Sequence, residues 1–234
     1  MPEGVSSERA LMIRAYNGDI RLSPKHQGII GAIEMAESLG RQLNAFLPRQ
    51  FENPDNALAH RHGTATEIIE QIPGGRIDAI VSGVGTGGTL VGIFQGLRDH
   101  RCPVKPFAVK PVASSSNSNQ LALSHCFHDS ECSSFSRRIP GLVDKLSKIY
   151  KPNELPELVE LEILDELALQ TTRDLIAGGF PVGPSSGLNY AAAQVAAQSL
   201  PPDATIVTVF PDRMERYFST DLFSIYDAGK TPCL

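Results

Sequence analysis

The run Ile77-Asp78-Ala79-Ile80-Val81 and the turn that follows it, Gly83-Val84-Gly85-Thr86-Gly87-Gly88-Thr89, restrict the fold more than any other stretch of the chain. A near-continuous apolar run entered through Pro73-Gly74-Gly75 reads as a strand buried on both faces, as in a parallel sheet. Leu90, Ile93, Phe94 and Leu97 then recur at helical spacing. The glycines therefore join the C-terminal end of a strand to the N-terminus of a helix. Free backbone N–H groups and the helix dipole favour an anion there, and Thr86 and Thr89 add hydroxyl donors. Such a turn is built to hold the phosphate of a small molecule. A ligand-free turn would need fewer glycines. Gly83-x-Gly85-x-x-Gly88 also satisfies the dinucleotide fingerprint, with Lys110 at the end of the next strand suited to a 2′-phosphate, so a Rossmann nucleotide-binding domain stands as an alternative.

The flanking sequence continues the alternation. Ser6 or Ser7 can cap a helix from about Glu8, and Asp19 to Ser23 alternates like a strand. Gly28 to Leu39 has helical spacing with Gly40 as a natural stop, and Asn44 to Leu47 reads as a short strand before Pro48. Helical segments around residues 56–62 and 64–72 precede the apolar run. Val104 to Val109 is the next strand, Leu158 to Ile163 another, and Asp165 to Ala177 a helix closed by Gly178-Gly179. Ser185-Ser186-Gly187 opens a helix to Gln198; Thr205 to Phe210 is a last buried strand, and Glu215 to Tyr226 a last helix. Residues 113–136 are Ser-rich and aperiodic, which predicts a long surface loop or a partly disordered insertion. The β-α-β alternation predicts an α/β fold with mostly parallel sheets and helices on both faces.

Composition removes several classes of function. A net charge of -5 with both signs interspersed, and aromatics at 6% without tryptophan, give no nucleic-acid surface. The longest apolar stretches are strand-length, so no membrane partner is expected. Cys102, Cys126, Cys132 and Cys233 show no disulfide rhythm, and the first residues lack a signal-peptide pattern; together they predict a reduced, cytoplasmic protein. His125, Cys126, His128 and Cys132 share one short span, but their spacing fits no standard closed zinc site, and no metal is expected. No Gly-x-Ser-x-Gly elbow supports a hydrolase.

Five blocks occur in an order and spacing that resemble one family. They are Met1-Pro2-Glu3 with Ser7-Glu8-Arg9, Gln50-Phe51-Glu52-Asn53-Pro54, Gly83 to Thr89, Gly183-Pro184-Ser185-Ser186-Gly187, and Pro211-Asp212-Arg213-Met214-Glu215-Arg216-Tyr217. Together they resemble the cysteine synthases, fold-type-II pyridoxal-phosphate enzymes related to the tryptophan synthase β-subunit. Arg137-Arg138-Ile139-Pro140-Gly141 and Pro211-Asp212-Arg213 are similar to the siderophore branch that makes 2,3-diaminopropionate. The resemblance implies pyridoxal 5′-phosphate (PLP) as cofactor, a small amino-acid substrate, and β-replacement on an O-activated L-serine. It implies cofactor-phosphate binding at Gly85, Thr86, Gly87, Gly88 and Thr89, a cofactor-lining turn at Ser185 and Ser186, and a substrate-carboxylate contact at Gln50. It also implies two α/β domains with a ligand cleft between them: residues 1–48 as a remnant of the smaller and 49–234 as the larger.

Two departures bear on mechanism. The match begins downstream of the family's Schiff-base lysine motif, and none of Lys25, Lys105, Lys110, Lys145, Lys148, Lys151 and Lys230 lies in a segment like it. The expectation is an N-terminally truncated chain with no catalytic residue of its own, inactive alone, that acts as a homodimer or pairs with a full-length relative. A non-catalytic PLP-binding or regulatory remnant is the alternative. The second departure is at Asp212-Arg213, where the family places the serine that bonds the pyridine nitrogen. Arg213 there is expected either to meet the ring, weakening it as an electron sink, or to point to solvent.

Overall fold

A computed structural model describes residues 1–113, 138–139 and 146–227. The chain divides into two compact units, one of Met1–Arg49 together with the segment from Arg213 onward, the other of Gln50–Asp212.

In the first unit, α1 spans Ser7–Ala15 and α2 spans Gly28–Leu43. Ser6 does not cap α1 with its side chain; its hydroxyl donates instead to the Arg216 carbonyl at 2.9 Å. Glu8 accepts the Ser219 amide and hydroxyl at 2.8 and 2.7 Å, and the Arg9 guanidinium lies 5.2 Å from the centre of the Tyr217 ring while bonding its hydroxyl. These contacts tie the C-terminal segment to α1. Three expectations fail here. Residues 19–23 form only an isolated bridge, Pro2 to Ser23: the segment alongside them, Met1 to Glu3, bonds Arg21 and Ser23 but is too short to build a strand ladder. α2 continues through Gly40, which is buried against Leu47, and ends at Asn44 in the left-handed conformation, with the Ala45 amide bonded back to Gly40; residues 44–47 are a helix exit rather than a strand. After Met214–Arg216, a single 3-10 turn, the chain runs through turns to a four-residue helix at Ser224–Asp227, so no continuous helix spans 215–226.

The second unit is a parallel sheet of β1 (Ala79–Gly83), β2 (Lys105–Val112), β3 (Val159–Leu164) and β4 (Ile206–Thr208), in the order β3-β2-β1-β4. Ile80 and Ala108 point to one face. There they join α3 (Asp55–Ala59), a π-helical turn at His60–Thr64, α4 (Ala65–Gln71) and α5 (Gly88–Asp99), through Ala57, Ala65, Leu90, Ile93 and Leu97. Ala79, Val81, Phe107 and Val109 point to the other face. They pack with Ala168 of α6 (Asp165–Ala177) and with Leu188, Ala191 and Ala192 of α7 (Pro184–Ala197). A parallel sheet must be covered on both sides, which is why its central strand reads as an unbroken apolar run. β3 at the edge alternates between half-buried and exposed positions along most of its length. Among the described residues, no helix is long and apolar enough to cross a membrane.

Candidate functional site

The sheet order locates the site. From β1 the chain moves to β2, outward to β3, and then returns to the opposite side of β1 as β4. The strand order therefore reverses between β1 and β4, and open α/β sheets take ligands outside the carboxyl ends of the strands at such a point. β1 ends there at Gly83, the first residue of the glycine turn.

Buried side chains hold the turn. Asn189, 1% exposed, accepts the Gly83 N–H through Oδ1 at 2.7 Å and donates Nδ2 to the Val209 carbonyl at 2.7 Å, joining the ends of β1 and β4. Ser147 donates its hydroxyl to the Thr86 carbonyl and accepts the amides of Ile149 and Tyr150, both at 3.0 Å. Gly87 stands at the start of α5 with φ 80°, a conformation that disfavours side-chain-bearing residues. A Cβ there would also lie 2.5 Å from that of Tyr150. The N-cap residue Gly87 has no side chain to cap α5; the Gly88 N–H is directed at Thr86 Oγ1 at 3.3 Å, and the helix dipole favours an anion at this end.

Thr86 and Thr89 are each engaged from the α3 side. Asn56 Nδ2 donates to Thr86 Oγ1 at 2.9 Å, and His60 Nε2 lies 3.1 Å from Thr89 Oγ1. Burial holds the His60 imidazole below its ordinary pKa. Ser185 and Ser186 occupy the first turn of α7, behind Pro184, whose fixed φ suits that position. Ser186 is fully buried, and its hydroxyl has no hydrogen-bond partner among the described residues. It lies one turn before Asn189 on the same side of α7. Such an orphan is rare in folded proteins and marks a place where a polar ligand would complete the bonding.

Gln50 is exposed, and its carbonyl accepts the second Asn56 Nδ2 proton at 2.8 Å. Arg213 belongs to the other unit; its side chain is 68% exposed and pairs with Glu215 at 2.6 Å, which holds the guanidinium pKa above its usual value. Lys110 pairs with Glu160 across neighbouring strands at 3.1 Å. The His125, Cys126, His128 and Cys132 cluster, Arg137 and nearly all of the Ser-rich stretch lie outside the described residues. The sequence reading did not single out Asn56, His60, Ser147 or Asn189. Only Asn189, the one asparagine in an alanine-rich helix, carries a signal.

The model of the family described as "Pyridoxal-phosphate dependent enzyme" matches residues 1–212. The chain belongs to the pyridoxal-phosphate dependent enzyme family. Within that family it is 35% identical over 232 residues to cysteine synthase B of Campylobacter jejuni, covering 96% of this chain and 70% of that protein. It is 36% identical to the O-ureido-L-serine synthase of Streptomyces lavendulae, covering 98% and 67%. Among solved structures, one of O-ureido-L-serine synthase superposes with a TM-score of 0.80 at 34% identity, covering 98% of this chain and 69% of that one. The O-acetylserine dependent cystathionine β-synthase of Helicobacter pylori does so with 0.80 at 30%, covering 95% and 69%. The parallel sheet covered by helices on both faces is thus the fold of the pyridoxal-phosphate enzymes of this type, and PLP is the cofactor of the family.

The residues present fit that cofactor's phosphate. The N-terminus of α5 and the hydroxyls of Thr86 and Thr89 lie at the switch point of the sheet as potential donors to an acceptor-rich oxyanion, and Ser186 adds an orphaned hydroxyl in the first turn of α7.

Proposed function

We propose that this chain binds PLP by its phosphate at Gly85, Thr86, Gly87, Gly88 and Thr89, with Ser185 and Ser186 lining the same site, and that it serves β-replacement on an O-activated L-serine. The observation that carries the reading is the α5 N-terminus with its two flanking threonines, set where the strand order reverses. When bound, PLP supplies an electron sink for bond breaking next to an amino-acid Cα. The chain's own residues hold and orient: backbone N–H groups and hydroxyls grip the phosphate, and Gln50 faces the substrate carboxylate. The substrate class rests on the relatives, a cysteine synthase and an O-ureido-L-serine synthase.

None of the chain's lysines falls in a segment like the family's lysine motif, so we infer that the 234-residue polypeptide holds PLP chiefly through its phosphate. Two measurements test this. Titration with 4-deoxypyridoxine 5′-phosphate and with 4-deoxypyridoxine separates phosphate recognition from aldehyde chemistry. The phosphate form is expected to bind at least about tenfold tighter, as for a few charge-assisted hydrogen bonds; equal affinities would contradict the reading. Borohydride reduction of the PLP complex followed by peptide mapping is expected to label no single lysine stoichiometrically. Full labelling of one lysine, together with steady cysteine formation from O-acetyl-L-serine and sulfide, would overturn the second statement and leave the first standing.

A further inference from the structure

A cavity of about 230 Å³ opens between α3, α5 and the segment 148–155. Its floor is made by three buried residues of the core, Ala57 of α3, Val91 of α5 and Leu155. Leu58 and Ile149 add apolar surface. Two lysines and two glutamates also line it, in separate ion pairs: Lys148 with Glu52 at 2.7 Å, and Lys151 with Glu154 at 2.9 Å. None of the residues assigned above to the cofactor or to the substrate carboxylate lines this cavity.

The backbone that carries these charges is pinned. The Lys148 N–H donates to the Phe51 carbonyl at 2.8 Å, and the neighbouring Ser147 hydroxyl donates to the Thr86 carbonyl. Residues 152–154 form one 3-10 turn, with the Glu154 N–H bonded to the Lys151 carbonyl and the Leu155 N–H to the Pro152 carbonyl. The cavity is therefore formed ahead of any ligand, as small-molecule sites usually are. Its ion pairs are not locked. The Lys148 and Glu52 side chains are 71% and 45% exposed, those of Lys151 and Glu154 57% and 67%. Exposed pairs add little to stability, so each can share its charges with a ligand at small cost. Lysine offers only donors and ionised glutamate only acceptors. A ligand with a single charge meets one kind and is faced by the other. A zwitterion meets one of each, and an aliphatic group beside its two charges can bury itself on the floor. The volume suits a molecule smaller than the drug-sized ligands of larger pockets.

We propose that this cavity binds a free α-amino acid with an aliphatic side chain. The ammonium group lies against Glu52 or Glu154, the carboxylate against Lys148 or Lys151, and the side chain on Ala57, Val91 and Leu155. The proposal does not depend on the phosphate reading of the glycine turn.

The test uses the full chain without PLP, its Leu, Ile and Val methyl groups labelled with 13C, titrated with L-leucine and followed by methyl NMR. Saturable shifts are expected at Leu58, Val91 and Leu155. 4-Methylpentanoate lacks the ammonium group and 3-methylbutylamine lacks the carboxylate. Each is expected to bind at least about tenfold more weakly, as for one lost charge-assisted hydrogen bond. Lys148→Glu combined with Lys151→Glu is expected to weaken L-leucine by about tenfold or more. Leu58→Trp, which fills the cavity, is expected to abolish the shifts. All three positions are exposed; if the Trp variant does not fold, the lysine variant reads the same site. Saturating 4-deoxypyridoxine 5′-phosphate is expected to leave the L-leucine affinity within about threefold of its value alone. Absence of shifts at these methyl groups up to about 20 mM L-leucine would overturn the proposal. So would equal binding of the two singly charged analogues, wild-type affinity in the lysine variant, or displacement of L-leucine by the cofactor analogue.

Discussion

Replacing Asn189 by alanine removes the clasp between β1 and β4. The amide is 1% exposed and makes two bonds of 2.7 Å, accepting from the Gly83 N–H and donating to the Val209 carbonyl. Alanine leaves both backbone groups without that partner. A buried, unsatisfied polar group costs about 1–3 kcal/mol, and these two are part-buried, so the expected loss is about 2–4 kcal/mol. With a urea m-value of about 1–3 kcal/mol/M, the unfolding midpoint should fall by roughly 1–2 M. Far-UV circular dichroism is the suitable probe, since the chain has no tryptophan. Hydrogen exchange adds a local readout: the Gly83 amide should lose protection while amides in the middle of α5 exchange in step with global stability. Asn189→Asp keeps the acceptor for Gly83 but sets a carboxylate against the Val209 carbonyl, so it should not restore stability. A midpoint shift below roughly 0.3 M, with Gly83 still protected, would contradict this role for Asn189.

Three other outcomes are expected. Gly187→Ala should destabilise by about 1–3 kcal/mol in the same denaturation assay, because its Cβ would collide with Thr172 Oγ1 and the Ala168 carbonyl where α7 crosses α6. The His60 pKa is lowered by burial, so the unfolded chain takes up that proton first as the pH drops. Its contribution to stability is complete above the ordinary histidine pKa of about 6.5 and is lost as pH falls through the lowered value. His60→Gln should therefore flatten that part of the stability profile, visible as a smaller difference between urea midpoints at pH 7.5 and 5.5. Finally, Thr86→Val with Thr89→Val should weaken 4-deoxypyridoxine 5′-phosphate by about tenfold or more relative to 4-deoxypyridoxine, measured by calorimetry well below the melting temperature.

The fold was legible where burial and punctuation agree. The run ending at Val81 and the glycine turn mark β1 and α5 because a central parallel strand and an anion-binding turn both leave local signatures. Asp19 to Ser23 has the alternation of a strand but is met only by the short segment Met1 to Glu3, and pairing is not encoded in one strand's pattern. The C-terminal segment misleads in the opposite way. Tyr217, Phe218, Leu222, Phe223 and Tyr226 have near-helical spacing, yet Tyr217 and Leu222 are buried by a chain in turns, and Phe218 and Phe223 meet edge to face at 5.0 Å. In the site, the glycines and the Ser185-Ser186 pair were readable as motifs. Asn56, His60 and Asn189 were not, because they act on residues 30, 29 and 106 positions away. Arg213 drew attention as a departure from the family's pattern, and its ion pair with Glu215, two residues on, depends on a local turn that the sequence does not display.

We propose that the turn from Gly83 to Thr89 holds the cofactor's phosphate. A crystal structure of the chain grown with PLP tests it most directly. The account predicts phosphate oxygens about 2.5–3.0 Å from both Thr86 Oγ1 and Thr89 Oγ1, capping the N-terminus of α5. A phosphate bound elsewhere on the chain, with the turn holding only water, would contradict it.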